Sequence, residues 1–406
     1  MVVGLPKHPP LTAGHSRASA LLTVPTASGA GTHCRSMWAM MQKLRMIAGA
    51  IQVTQRSDAR TMAAMTASLP ASYARGVRQP WTSLPAGVHD WVAEQLGGRV
   101  VFAEDRVGGF SPGCAAVVGT GSGTAFCKAV GDQPNPISLE LYRRERLAGL
   151  PDHPAVPKPL AGTDLELPEG RWTATLLPAV PGRPPDHPWA ESVAELVFDR
   201  LGDVGRVFAR SVDRGPSALD SSADLVRFFG HWSEVLADPA DPWSSSPWVL
   251  LHQERLLAAD ARLQREVVGT VPAHTDLRAD NVLVGSPEPA GGRPAVWFID
   301  WAEARTAAPW VDPALLACDL VVSGADHRQG GTMDVAAFLA RHPTTAGTDP
   351  GLHRGMMVGL AATLHRFSRA PAQAGLPTIR AWQGRSADAL LGYIQQTDLG
   401  RDRALW

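Results

Sequence analysis

Cysteine is scarce in this chain. Its 406 residues hold four, Cys34, Cys114, Cys127 and Cys318, with no two close enough to form a CxxC or other ligand pattern. That excludes a zinc module of ordinary spacing and a small disulfide-held scaffold, and leaves reduced thiols in a cytoplasmic protein as the expectation. Long apolar runs are missing too: no stretch reaches 18 uninterrupted apolar residues, so no membrane association is expected. Net charge is nearly absent, at −1, and bulk electrostatics therefore points to no nucleic-acid or acidic-membrane partner. Nothing signals an obligate protein partner.

Acidic residues are almost lacking from the first 89 positions, where Asp58 stands against nine Lys and Arg, giving +8 there and −9 for the remainder. The same stretch is rich in Ala, Ser, Thr, Gly and Pro without a sustained apolar period, which predicts disorder over residues 1–80. Two explanations compete. One is an Arg-rich, acid-poor leader. The other is a start placed too early, with Met62 or Met65 as the working one; it is preferred because scattered Pro and Gly spoil an amphipathic helix. Either way residues 1–80 are set outside the expected fold.

What remains is long enough for two domains or one two-lobed enzyme. Thr82-Ser83-Leu84-Pro85 reads as a helix start, with Val88, Trp91, Val92 and Leu96 at helical spacing and Gly97-Gly98 as the stop. Strand-like runs follow at 100–103, 115–118 and 125–130. Between the last two, GTGSGT at 119–124 invites a dinucleotide reading, but AFCKAV after it is strand-like, so a hairpin turn is expected. The GGFSPG run at 108–113 also lies between strands, where amides freed of side chains can close over phosphates.

Residues 137–150 form an amphipathic helix with Glu140 and Glu145 among its polar positions, 172–177 a strand, and PAVPGRPP at 178–185 a hinge-like break. From residue 191 the pattern turns helical. Val193, Leu196, Val197, Val204, Val207 and Phe208 share one face, as do Leu352, Met356, Leu360, Leu364 and Phe367.

The stretch AHTDLRADNVLV at 273–284 packs a His, two Asp, an Arg and an Asn just ahead of a short strand. A second strand at 296–299 ends on Asp300. Antiparallel pairing sets the start of the first beside the end of the second. Asn281 and Asp300 then emerge at one edge with Asp276 in the loop, three oxygen-bearing side chains of the kind that suits Mg²⁺.

His274-x-Asp276-x4-Asn281-Val-Leu283 followed by Ile299-Asp300-Trp301 resembles the catalytic loop and metal strand of the aminoglycoside phosphotransferase family, small-molecule kinases with a protein-kinase-like fold. Thr275 stands where that family usually has Gly, and Arg278 where His is common. The resemblance implies an α+β fold of two lobes: a small antiparallel β-sheet N-lobe over 82–180 and a larger, mainly helical C-lobe over 181–406. It further implies ATP and Mg²⁺ as cofactors, with Gly108, Gly109 and Ser111 over the phosphates. Lys128 would contact the phosphates and be anchored by Glu145 in preference to Glu140, and the segment around Leu177 and Ala179 would hold adenine through its backbone. Asp276 would accept or orient the acceptor proton, with Asn281 and Asp300 on the metal. His274 is expected to stabilise the loop, Asp280 to be a solvated turn residue, and Arg278 to balance charge or lie at the surface. Glu303, Asp312, Asp319 and Asp326 are candidates for a cationic acceptor, and Asp312 equally for a helix cap before Pro313. The implied activity is phosphorylation of a hydroxyl on a small molecule, aminoglycoside-like, sugar or amino alcohol. A silent nucleotide-binding scaffold is the alternative, and a metal hydrolase using His274 and Asp276 is a weaker one for want of a second His-bearing ligand motif.

Overall fold

A computed structural model of the chain describes residues 76–106, 108–133, 136–214, 219–220, 225, 229–286, 292–373 and 375–398. The segment 1–80, expected to be a disordered leader or an over-extended start, lies outside the described residues as far as residue 75. Residues 76–80, however, are part of the fold: the amides of Gly76 and Gln79 donate to the carbonyls of Gly109 and Pro112.

The chain first forms helix α1, Ala86–Gln95. Its cap is Pro85, with no side-chain hydrogen bond; the expected cap Ser83 instead donates its Oγ to Pro80 O and closes a 3-10 turn. Strands β1 Phe102–Asp105, β2 Cys114–Gly119 and β3 Thr124–Gly131 come next. Helix α2 Pro136–Leu147 then precedes β4 Ala161–Leu167 and β5 Gly170–Leu177. The five strands make one antiparallel sheet in the order β1-β2-β3-β5-β4. GTGSGT is the hairpin turn between β2 and β3, with Gly119 opposite Thr124.

Side chains alternate across a strand, and this sorts β3 into two faces. Cys127 and Ala129 join Val88 and Val92 of α1 in one apolar cluster, while Val130 packs with Leu139 and Tyr142 of α2 on the other face. Lys128 shares the α2 face. The expected strand at 100–103 begins two residues later, at Phe102, because Val101 makes only a single bond to Gly119 O before the ladder starts.

The linker after β5 crosses to the second part, where Arg183 exchanges both backbone hydrogen bonds with Val284. That part holds α3 Glu191–Ser211, α4 Trp232–Ala237, α5 Pro247–Glu266, α6 Val311–Val322, α7 Val335–Arg341, α8 Pro350–Ser368 and α9 Ile379–Asp398. Two small antiparallel ribbons are set among them: β6 Val271–Ala273 with β9 Arg305–Ala307, and β7 Val282–Val284 with β8 Val296–Phe298. Helix α3 buries Leu196, Val197, Val204 and Phe208 as expected, with Val193 and Val207 at the margin. In α8 the expected stripe is met in part: Met356 and Leu364 are buried, while Leu352, Leu360 and Phe367 are only half-buried. Gly355, Gly359, Ala361 and Ala362 are buried as well, and a Cβ on Gly359 would strike Leu263 of α5. Small residues thus let the two helices approach closely at this point. Among the described residues no helix is long and apolar enough to cross a membrane.

Candidate active site

The β7–β8 ribbon does what its pairing predicts. Val282 lies opposite Phe298, and the amide of Ile299 donates to Asn281 O at 3.0 Å. Asn281 and Asp300 thus leave the ribbon at one edge. Asn281, 4% exposed, donates its Nδ2 to Asp276 O at 2.7 Å and to Asp276 Oδ2 at 3.3 Å. With its Nδ2 spent on Asp276, its Oδ1 is the atom left to meet a cation. The set of Asn281 and Asp300 oxygens, with Asp276 alongside, is hard in character and fits Mg²⁺.

Lys128 reaches this edge from the sheet. Its Nζ donates to Asp300 Oδ1 at 2.8 Å and pairs with Glu145 of α2, and it sits 4.8 Å from the centre of the Tyr142 ring. Glu145, not Glu140, meets the lysine; Glu140 is exposed on the far side of α2. Burial by itself would favour a neutral amine, but the charges of Asp300 and Glu145 outweigh it and hold Lys128 as an ammonium. Burial would likewise raise Asp300, yet Lys128 dominates and drives that carboxyl down to about 2. Glu145 shares the same ammonium but is more enclosed, and burial keeps it above the usual carboxylate range.

The catalytic loop is braced from behind. Asp312 was expected to bind an acceptor or cap a helix; instead it lies in the first turn of α6 and accepts from the amides of His274 at 2.7 Å and Thr275 at 2.9 Å. Thr275 occupies left-handed backbone, φ 60°, a conformation that glycine adopts more readily than a β-branched residue. Its hydroxyl donates to Glu303 O at 2.6 Å and helps hold that shape. His274 donates Nε2 to Ile299 O at 2.8 Å, so Nδ1 is the acceptor that faces the Asp276 amide at 3.3 Å. Both ring nitrogens are committed to the loop, a structural role. Asp300 is the second non-glycine residue at positive φ, 64°. Among the described residues both such positions fall in this site, a distribution typical of functional constraint.

The Asp276 side chain is 43% exposed, yet desolvation by the protein around it raises its carboxyl above the ordinary range. Arg278 Nη1, 3.5 Å away, opposes the rise. Asp280 is not the solvated turn residue expected; it is 11% exposed and accepts from Arg278 Nε at 2.5 Å. Arg278 in turn lies over Phe110, 4.7 Å from its centre, and 5.4 Å from the Trp382 ring, while Phe110 meets Trp382 edge-on at 5.3 Å. The glycine loop is thereby joined to the catalytic loop and to α9.

In that glycine loop Gly108 and Gly109 both have positive φ, 110° and 69°. Ser111 Oγ donates to Tyr142 Oη at 2.7 Å, which leads toward Lys128 by way of the tyrosine ring. Leu177 ends β5 buried, and Ala179 follows it half-buried at the start of the linker.

The remaining acidic candidates are also engaged. Glu303 pairs with Arg305 at 3.1 Å; Asp319 accepts from Trp189 Nε1 at 2.9 Å and from the Ala279 amide at 3.1 Å; Asp326 accepts from the Arg328 and Val335 amides and from Arg328. Burial, with the nearby charge of Asp280, lifts Asp319 to about 7.

A sheet-borne lysine anchored by a helix glutamate, facing an Asp–Asn–Asp set on a loop and ribbon, defines a kinase-type phosphotransferase. The sequence matches the phosphotransferase enzyme family (APH) over residues 115–354, more than half of the chain, and the protein belongs to that family of small-molecule kinases. No curated protein matches it. Among solved structures it is similar to a spectinomycin phosphotransferase in complex with ADP and spectinomycin, at 15% identity and TM-score 0.43, over 76% of this chain and 98% of that one. A microcompartment-associated aminopropanol kinase has 16% identity and TM-score 0.38, over 72% and 93%. An ethanolamine kinase of Plasmodium vivax has 11% identity and TM-score 0.38, over 70% and 82%.

Three features escape sequence reasoning: Arg78, which precedes every recognised element; the Phe110–Arg278–Trp382 cluster; and the bracing role of Asp312. Tyr142 was within reach, since it lies three residues before Glu145 on the same helix face.

Proposed function

We propose that the protein transfers the γ-phosphate of ATP to a hydroxyl of a small molecule, with Mg²⁺ as the metal. The observation that carries this reading is the Lys128–Asp300 contact at 2.8 Å, which links the sheet to the ribbon edge where Asn281 and Asp276 are already hydrogen-bonded. Lys128 binds the nucleotide phosphates, kept charged and oriented by Glu145. Asp276 receives the acceptor hydroxyl and takes or directs its proton, and the Asn281 amide holds it in place. Asn281 and Asp300 hold the metal, which when bound supplies charge neutralisation to the phosphates. The glycine loop with Gly108, Gly109 and Ser111 covers those phosphates, and backbone groups around Leu177 and Ala179 take the adenine.

The acceptor is read as a sugar or amino alcohol in preference to a polyamine. Glu303, Asp312, Asp319 and Asp326 are each committed to an arginine or to backbone amides, so none of them offers a free carboxylate to a multiply charged amine. The deciding experiment is labelled-phosphate transfer from ATP to a panel of neutral, singly cationic and polycationic alcohols, with Mg²⁺ and with EDTA. Transfer that needs Mg²⁺ and drops about a hundredfold or more in Asp276→Asn, with ADP affinity retained, supports the reading; near-normal turnover in that variant overturns it.

A further inference from the structure

Residues 76–80 lie as a strap across the glycine loop. Gly76 N donates to Gly109 O at 3.0 Å, Gln79 N to Pro112 O at 3.0 Å, and Val77 N to Gly375 O at 2.8 Å. The strap therefore ties loop 108–113 to the turn before α9. Its far end is fixed where Trp81 N donates to Asp105 Oδ1 at 2.8 Å.

Arg78, half-buried within the strap, turns onto the loop. Its Nε donates to Gly108 O at 2.7 Å and its Nη1 reaches Gly113 O at 3.5 Å. Its Nη2 stands 2.7 Å from where a Cβ on Gly109 would be, so the guanidinium rests against the tightest part of the loop backbone. Its partners among the described residues are carbonyls, and no carboxylate there forms an ion pair with it. A guanidinium has five donors in a planar fork, the geometry suited to phosphate oxygens. Arg78 uses few of them on the loop and keeps its charge un-neutralised.

We propose that Arg78 is a second cation of the phosphate site. It shapes the glycine loop through Nε and presents its remaining N–H groups to the nucleotide phosphates from the loop side, as Lys128 does from the sheet side. The inference rests on the nucleotide reading above and concerns a residue outside the family match at 115–354.

The test compares affinities for adenosine and ADP by calorimetry, with Mg²⁺, in the full chain and in Arg78→Ala, Arg78→Gln and Lys128→Ala. Arg78→Gln retains a donor for Gly108 O but carries no charge, and it serves where Arg78→Ala fails to fold. A charged hydrogen bond lost to phosphate corresponds to roughly a tenfold drop in affinity. The expected result is that drop for ADP in both Arg78 variants with adenosine affinity unchanged. If adenosine and ADP fall together, Arg78 is only scaffolding and the proposal is wrong. If ADP is unaffected at Arg78 but weakened by Lys128→Ala, the proposal fails while the site reading stands. If neither position affects ADP, both fail.

Discussion

Lys128 and Asp300 are 172 residues apart in sequence and 2.8 Å apart in space. If Asp300 holds the metal as proposed, a divalent ion arriving without nucleotide competes with an ammonium for that carboxylate. Replacing the lysine should strengthen that bare-ion site. Lys128→Met is best made together with Glu145→Gln, because a lone buried carboxylate costs about 3–5 kcal/mol. The double variant should bind Mn²⁺ alone roughly tenfold more tightly, by paramagnetic resonance, while its affinity for Mg-ATP drops. Unchanged Mn²⁺ affinity would remove Asp300 from the metal site.

Proton transfer at Asp276 should leave a mark on the pH profile. Desolvation raises this carboxyl above the ordinary aspartate value, and Arg278 only partly restrains it. The ionised form is the one that accepts a proton, so kcat/KM should fall as pH drops through that raised value, earlier than for a solvent-facing aspartate. Arg278→Ala removes the restraint and should move the acid limb to higher pH. Asp276→Asn should cost about 10²- to 10⁴-fold in kcat and leave no such limb in the residual rate.

Gly109 is constrained twice over, by φ of 69° and by Arg78 Nη2 at the place of its missing Cβ. Gly109→Ala should cost about 1–2 kcal/mol through the backbone alone and raise the KM for ATP several-fold by shifting the arginine. Gly121, in the β2–β3 hairpin, has open space around it, and Gly121→Ala is expected to leave KM unchanged. Equal effects at the two glycines would show that loop shape, not the Arg78 contact, is being measured.

Asp260 of α5 offers a stability test away from the chemistry. Its Oδ2 accepts from Trp232 N at 2.8 Å, Oδ1 has no partner, and burial pushes the carboxyl up to about 7. The folded protein thus retains a proton that the unfolded chain releases near pH 4, and stability declines as pH rises from there to about 7. Asp260→Asn keeps the acceptor for Trp232 and discards the charge. It should stabilise the fold by about 2–4 kcal/mol at pH 8, with the gain shrinking to roughly a third of that at pH 5. Urea unfolding at the two pH values measures this, and a gain independent of pH would contradict it.

How much of this was legible beforehand depends on the range of the signal. Asp276, Asn281 and Asp300 could be set together because a loop of fixed length feeds a two-stranded ribbon, and antiparallel pairing is local arithmetic. Lys128 and Glu145 followed from a strand-then-helix order. Charge type was readable at Glu303, Asp312, Asp319 and Asp326, but the partners were not: the amides that Asp312 serves lie 37 and 38 residues away, a contact no periodicity announces. Composition misled at residues 76–80, where a segment poor in apolar residues is held by main-chain hydrogen bonds that do not depend on hydrophobic pattern. The α8 stripe held at Met356 and Leu364 but not at Leu352, Leu360 and Phe367, because buried glycine and alanine also bring this helix close to its neighbours.

Thr275 shows how such a loop keeps its shape. A β-branched residue sits in a torsion well that glycine ordinarily fills, and it is kept there by one amide given to Asp312 and one hydroxyl given to Glu303. The shape of this loop thus rests on a backbone angle and on the two oxygens that answer it, and a side chain at that position is accommodated because both are in place.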